Sequence, residues 1–163
     1  MNPQREATLD KAAFRRAMLL QLQDMTIEER AARSEKICAR VADCEAWQNA
    51  KRVLLFSPLR IEPQIASLQT AAVAAGRETF VIPPTLRVES ELDLPFTPDL
   101  VLVPGLAFSR GNHRLGRGGG FYDRLLAGRA ASAYKLGVCY NIQLRETIPT
   151  DPHDVVVDAV VAD

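Results

Sequence analysis

Cysteine is scarce in this chain, with only Cys38, Cys44 and Cys139 among 163 residues. An odd number without C-x-x-C spacing argues against a disulfide framework and against a zinc site. Cys38 and Cys139 lie in apolar contexts, which suits small buried hydrophobes. Histidine is scarcer still, with His113 and His153 alone, and neither sits in a compelling Ser-His-Asp or Cys-His arrangement. Net charge is also missing, because twenty Lys and Arg balance twenty Asp and Glu. A general nucleic-acid binder would carry a basic excess, so nucleic acid is not an expected partner. No apolar run approaches the length of a membrane span. The opening MNPQREATLDK has no apolar core of a signal peptide, so the expected compartment is the cytoplasm and no membrane partner is expected. No internal repeat, low-complexity tract or linker divides the sequence, and its length fits one domain over 1–163.

What the chain has in abundance is glycine in one place. Arg110 to Arg124 reads RGNHRLGRGGGFYDR and holds Gly111, Gly116, Gly118, Gly119 and Gly120, five of the nine glycines. Glycine permits positive φ and lets a ligand approach the backbone. Successive N–H groups in such a loop form an anion nest, and a following helix adds its positive end. The interleaved Arg110, Arg114 and Arg117 point to phosphate or carboxylate as the guest. The loop is neither a Walker A sequence, lacking the Lys-Ser/Thr ending, nor G-x-G-x-x-G.

Along the chain, residues Met1 to Thr8 are polar and expected to fray. Asp10 is the expected cap of a helix with Phe14, Met18, Leu22 and Met25 on one face. Lys11 and Arg15 are i, i+4 on that helix and project together. Thr26-Ile-Glu-Glu29 is a capping box opening a second helix. On it Ala31, Ser34, Cys38 and Val41 form the inner face, and Arg30 is read with the surface charges. Trp47 is expected to fill a packing gap in a short connection. Arg52 to Ser57 reads as a strand buried on both faces. A helix from Ile61 to Ala75 follows, closed by Gly76, with Glu62 as an acid at its start. Further strands are expected at Glu78–Ile82, 99–104, 134–140 and 155–161, with a loop over 86–98 and a helix from Phe121. This alternation predicts an α/β fold of three layers, Rossmann-like, with a mainly parallel sheet and helices on both faces. A ligand then sits beyond the carboxyl ends of the strands, where Glu62, the glycine loop and Asn141 to Gln143 fall.

Asp123 follows the glycine loop and Asp154 precedes the last strand. Two carboxylates beside a phosphate nest suit Mg²⁺, which takes one or two carboxylates, water and phosphate oxygens. Lys11, Arg15, Arg114 and Arg117 could neutralise a nucleotide's phosphates, and phosphoryl transfer asks little more than positioning and charge stabilisation.

Leu102-Val-Pro-Gly-Leu-Ala-Phe108, followed by Arg114-Leu-Gly-Arg-Gly-Gly-Gly-Phe-Tyr-Asp-Arg124, closely resembles the 5-formyltetrahydrofolate cyclo-ligase family, whose pattern is V-P-x-x-A-F, a turn, then R-L-G-x-G-x-G-Y-Y-D. Lys11-Ala-Ala-Phe-Arg15, Phe56-Ser-Pro-Leu-Arg-Ile-Glu62, Gln143, Ile148-Pro149 and His153-Asp154 extend the resemblance, in order, over nearly the whole chain. The resemblance implies an ATP-dependent closure of 5-formyltetrahydrofolate to 5,10-methenyltetrahydrofolate through a phosphorylated formyl group. It implies ATP contacts from Lys11, Arg15, Arg114, Gly116, Arg117, Gly118, Gly119, Gly120, Phe121 and Tyr122. Folate would meet Phe56, Glu62 and Tyr122, Mg²⁺ would be held by Asp123 and Asp154, and Arg114, Tyr122 and Asp123 would serve catalysis. The working unit would be a monomer or weak dimer. Three departures are visible: a short acidic stretch between Pro84 and Pro98 where typical members are longer, Ser109 in place of Asp, and Phe121 in place of the first Tyr. They leave the ATP half better preserved than the folate half. A paralogue acting on another small molecule, or a nucleotide-binding protein without catalysis, are the alternatives.

Overall fold

Five parallel strands form the centre of the molecule, in the order Glu78–Ile82, Arg52–Phe56, Leu100–Val103, Tyr134–Val138 and Ala159–Val161. The computed structural model describes residues 3–88 and 92–163. The strands are β1 (Arg52–Phe56), β2 (Glu78–Ile82), β3 (Leu100–Val103), β6 (Tyr134–Val138) and β8 (Ala159–Val161). β1 and β3 are runs of Val, Leu and Phe, as expected for strands covered on both faces. One face carries Val53, Leu55, Leu100, Leu102 and Leu136 against α1 (Pro3–Asp24), α2 (Ile27–Asp43), α3 (Glu45–Asn49) and α4 (Ala66–Ala74). The other carries Leu54, Val101 and Val103 against α5 (Phe121–Ala127). This is the predicted three-layer arrangement. Reading only the sheet, the strand order is 2-1-3-4-5, so the direction of winding reverses between β1 and β3.

The helices keep most of the predicted faces. Met18 and Leu22 are buried, and the capping box forms, with the Glu29 N–H donating to Thr26 Oγ1 at 3.1 Å and the Thr26 N–H donating to Glu29 Oε2 at 2.9 Å. That backbone hydrogen bond holds the Glu29 carboxyl below the usual range. Burial pushes the Cys139 thiol up to about 12, which suits the inert role read from its context. Trp47 is buried and lies in α3 rather than in a bare connection, with the Arg77 guanidinium 4.9 Å from its ring.

Four expectations are corrected. α1 starts at Pro3, so the backbone expected to fray is helical from there and Asp10 lies inside the helix; proline suits a first turn, where its missing N–H has no partner to lose. Arg30 is 5% exposed, because its guanidinium turns back to donate to the Leu22 carbonyl (2.7 Å) at the C-terminal end of α1, where a cation is favoured. Ala31 is exposed, while Ile37 takes the inner position beside Ser34, Cys38 and Val41. α4 starts only at Ala66, because residues 59–64 form a turn of their own, with the Glu62 N–H donating to the Leu59 carbonyl.

The strand ends are shorter than expected for a positional reason. The Val155 N–H donates to Asp123 Oδ1 (3.2 Å) and the Val157 N–H to the Asn112 carbonyl (3.0 Å), so this segment is tied to the glycine-rich region and joins the sheet only at Ala159. A 3-10 turn, Pro84–Val88, opens the stretch expected to be a loop, and residues 89–91 of that stretch lie outside the described residues. A second small sheet, β5-β4-β7, was not expected: β4 (Ala107–Ser109) pairs antiparallel with β5 (Arg114–Leu115) and parallel with β7 (Leu144–Arg145).

Candidate functional site

The small sheet divides the glycine-rich stretch in two. Arg110 to His113 is the turn of the β4–β5 hairpin, with Asn112 at φ 63 and the Asn112 N–H donating to the Ser109 carbonyl. Gly111, Arg110 and His113 therefore serve a turn, and the loop proper runs from Gly116 to Gly120. Within it Gly118 (φ 108) and Gly120 (φ 70) take left-handed backbone that side chains disfavour. The loop is fixed from outside at both ends: Arg15 Nε donates to the Gly116 carbonyl at 2.8 Å and Arg124 Nη1 to the Gly119 carbonyl at 2.9 Å. With those carbonyls held, no backbone carbonyl among the described residues accepts from the N–H groups of Arg117, Gly118 or Gly119.

This loop forms one wall of a cavity of about 240 Å³. Its floor is the reversal point of the sheet: Glu62 follows β1, and Pro104 and Gly105 follow β3. That is where ligands bind in open α/β sheets. Phe121, Tyr122 and Asp123 enter from the start of α5, Lys11 and Arg15 from α1, and Asp151 and Asp154 from the turn before β8. Lys11 and Arg15, separated by one helical turn, project together as their spacing predicted, and both reach the cavity. Of the residues proposed from sequence, the cavity collects Lys11, Arg15, Glu62, Arg114, Gly116, Arg117, Gly118, Gly119, Gly120, Phe121, Tyr122, Asp123 and Asp154. Phe56 is not brought to its wall; it is 1% exposed at the end of β1, inside the core.

Arg114, Lys11 and Glu62 each have a definite hold. Arg114, 7% exposed, donates from Nε to the Pro104 carbonyl at 2.7 Å and stacks its guanidinium 4.9 Å from the Tyr122 ring. Phe121 and Tyr122 meet edge to face with centroids 5.1 Å apart. Lys11 Nζ donates to Asp151 Oδ2 and to Asp154 Oδ2, both at 2.7 Å. Burial alone would lower the Lys11 ammonium's pKa, but the two carboxylate hydrogen bonds outweigh it and hold it above the usual lysine range. Glu62 is not in the first turn of α4; it is buried in the turn before it, and its Oε2 accepts from the Leu59 N–H at 2.8 Å. Lys11, Arg15, Arg114 and Arg117 face Glu62, Asp123, Asp151 and Asp154, so the wall is balanced in formal charge.

Three residues that shape the site had no role assigned from sequence, although Gln143 lies in the predicted ligand-side segment Asn141 to Gln143. Asp151 carries no signal beyond its place three residues before Asp154. Gln143, 1% exposed, donates to the Gly105 carbonyl (2.7 Å) and accepts from the Tyr140 N–H (2.8 Å), fixing the chain as it leaves β3. Tyr140, fully buried, donates its hydroxyl to the Glu62 carbonyl at 3.0 Å and lies 3.4 Å from Ser34 Oγ, which in turn accepts from the Gln64 N–H. Burial raises the Tyr140 pKa, so the phenol stays a donor. Tyr140→Phe is expected to cost about 1 kcal/mol of unfolding free energy, the net worth of such a bond. Denaturant unfolding with an unchanged m-value is the check.

Known proteins share this fold and stretches of this sequence. A model of the 5-formyltetrahydrofolate cyclo-ligase family matches residues 7–98 and 96–163, and the junction of the two parts falls at the end of the short acidic stretch. A protein of Mycolicibacterium smegmatis named 5-formyltetrahydrofolate cyclo-ligase is 48% identical over 63 residues, a match spanning 39% of this chain and 32% of that one. One of the same name from Mycoplasma genitalium is 26% identical over 163 residues, covering 94% of this chain and 98% of its own, so a relative of similar length bears that name. The solution structure of Aquifex aeolicus 5,10-methenyltetrahydrofolate synthetase superposes with a TM-score of 0.77 at 29% identity, covering 93% of this chain and 89% of that one.

Proposed function

The chain belongs to the 5-formyltetrahydrofolate cyclo-ligase family of enzymes, and from that premise we propose that it closes 5-formyltetrahydrofolate to 5,10-methenyltetrahydrofolate at the expense of ATP. The observation that carries the reading is the single cavity at the β1/β3 reversal. It joins a glycine loop ringed by Lys11, Arg15, Arg114 and Arg117 to a buried acid, Glu62, and an aromatic face, Tyr122. The first group suits a triphosphate and the second a polar, flat heterocycle.

The chemistry proceeds in two displacements. The N5-formyl oxygen attacks the γ-phosphorus and ADP leaves, giving a phosphorylated iminium. N10 attacks the formyl carbon, gives up its proton, and the carbon–oxygen bond breaks to release phosphate. Phosphorylation turns a poor leaving oxygen into a good one. The protein's share is alignment and charge stabilisation. Arg15 and Arg124, by holding the loop carbonyls, keep the loop amides turned to one guest. Arg114 is fixed by the Pro104 carbonyl and the Tyr122 ring, so its charge is set in place before the phosphoryl group moves. Glu62, held by the Leu59 N–H and by the anchor of its own carbonyl on Tyr140, presents an acceptor for ring N–H groups of the folate.

The donor set fits Mg²⁺ arriving with the nucleotide. Asp123 engages Oδ1 with the Val155 N–H and Asp154 engages Oδ2 with Lys11 and the Asp151 N–H. The second oxygen of each takes no hydrogen bond among the described residues, and two carboxylates with phosphate oxygens and water are what this ion takes. Bound there, it would neutralise charge on the β- and γ-phosphates. The proposed compartment is the cytoplasm, and no described helix is long and apolar enough to cross a membrane. The proposed working unit is a monomer or weak dimer.

The test is direct. Purified protein with 5-formyltetrahydrofolate and Mg-ATP is expected to develop the methenyl chromophore and release one phosphate per turnover. ATP binding without that product would overturn the substrate assignment and favour a paralogue. Absence of ATP binding would overturn the nucleotide site itself.

A further inference from the structure

Lys11 is held by two acids where a phosphate-binding lysine needs fewer. Its ammonium lies 2.7 Å from Asp151 Oδ2 and 2.7 Å from Asp154 Oδ2, and its side chain is 8% exposed. The two acids are built as a unit, since the Asp151 N–H donates to Asp154 Oδ2 at 2.7 Å and the Asp154 N–H donates to the Asp151 carbonyl. They differ in setting: the Asp154 side chain is 12% exposed and that of Asp151 is 43% exposed.

We propose that Asp151 is a specificity-determining residue that makes the site select the metal complex of a nucleoside triphosphate over the free triphosphate. This rests on the nucleotide reading of the cavity. Two of the three Lys11 donors are engaged, so an incoming phosphate oxygen that takes the third comes to lie beside both carboxylates. A metal-free triphosphate then brings its full negative charge up to two acids that share one ammonium, in a cavity wall whose own charges already cancel. Like charges brought together beside a side chain as buried as Lys11 repel one another. A divalent cation arriving with the phosphates changes the exchange. It takes over Asp154, while Lys11 keeps Asp151 and turns its remaining donors to the phosphate. No charge is left unpaired at any stage. Asp154 is therefore the acid that the cation relieves, and Asp151 is the acid that remains to penalise a guest without one.

The test is calorimetric titration of ATP, once with Mg²⁺ and once with a chelator, on the wild type, Asp151→Asn and Asp151→Glu. Asp151→Asn is expected to bind metal-free ATP roughly 3- to 10-fold more tightly than the wild type, on the scale of one relieved charge contact. Its affinity for Mg-ATP is expected to change by less than about twofold, within the range of one exposed contact. Asp151→Glu restores the acid and is expected to keep the wild-type preference. An unchanged or weaker affinity of Asp151→Asn for metal-free ATP overturns the inference, as does a glutamate variant that behaves like asparagine. Failure of the wild type to bind ATP under either condition overturns the nucleotide reading instead, so the two failures are distinguishable. Because the Asp151 carboxylate lies on an exposed turn, both variants are expected to retain the wild-type unfolding midpoint, and this is measured alongside.

Discussion

Arg114→Ala is expected to lower kcat/KM for Mg-ATP by about 10²- to 10³-fold, the usual loss when one fixed group that stabilises developing charge is removed. Two contacts and a close approach meet on this side chain. Nε donates to the Pro104 carbonyl, the guanidinium lies over the Tyr122 ring, and its tip would come within 2.9 Å of any Cβ placed on Gly116. It therefore links the end of β3 and α5 through one planar group, beneath a glycine loop that leaves no room for a side chain at Gly116. Alanine removes the charge and the link at the same time. Lysine does not repair the loss, because an ammonium neither stacks on the ring nor reaches carbonyl and phosphate in one plane. Steady-state kinetics with each substrate varied in turn make the check. The loss should fall on ATP more than on the folate, and an equal fall in both would show that the loop serves a different ligand. Some stability is lost as well, since a desolvated cation–π contact contributes about 2 kcal/mol, and the assays belong well below the unfolding midpoint of the variant.

The parts of the molecule legible in the sequence are those whose signal is local. β1 and β3 are continuous apolar runs because both faces of the sheet are covered, and the capping box at Thr26 and Glu29 forms as written. Lys11 and Arg15 were paired by helical spacing, which holds wherever the helix begins, so the early start of α1 did not disturb that reading. The illegible parts depend on partners distant in sequence. β4, β5 and β7 span two or three residues each, too short to show a period, and exist because β4 finds Leu144 and Arg145 across the fold. The antiparallel pairing of β4 with β5 is why the first four residues of the glycine-rich stretch form a hairpin turn. Asp151 and Tyr140 matter through contacts more than 70 positions away in sequence, with Lys11 and with Glu62, and no local pattern announces them. Arg30 was read as surface because a buried arginine needs a specific acceptor, here the Leu22 carbonyl, which only the packing of α2 on α1 supplies.

Gly137→Ala is expected to be the most damaging single methyl group in the chain. Gly137 sits in β6 between Val103 of β3 and Val160 of β8, in the middle of the sheet. A Cβ there would lie 2.6 Å from Cε1 of Phe108, a ring with 0% exposure that also lies 3.1 Å from a Cβ built on Gly105. The ring has no free direction, and the strand cannot retreat without breaking its pairings on both sides. Overpacking of this kind costs about 1–3 kcal/mol, and the upper end applies where backbone is pinned. The consequence reaches the site, because Phe108 pairs directly with Arg114 across the β4–β5 hairpin. A shift of the ring large enough to admit the methyl group moves the strand that aims the Arg114 guanidinium. Gly137→Ala should therefore lower both the unfolding midpoint and kcat/KM for Mg-ATP, measured by denaturant unfolding and by the methenyl assay. Phe108→Leu in the same chain trims the obstructing ring. The double variant should recover part of the stability lost by Gly137→Ala, with a coupling of about 0.5–3 kcal/mol, as expected for residues in contact. Additive losses in that cycle would show that the methyl group is accommodated elsewhere and that Phe108 does not transmit the strain to Arg114.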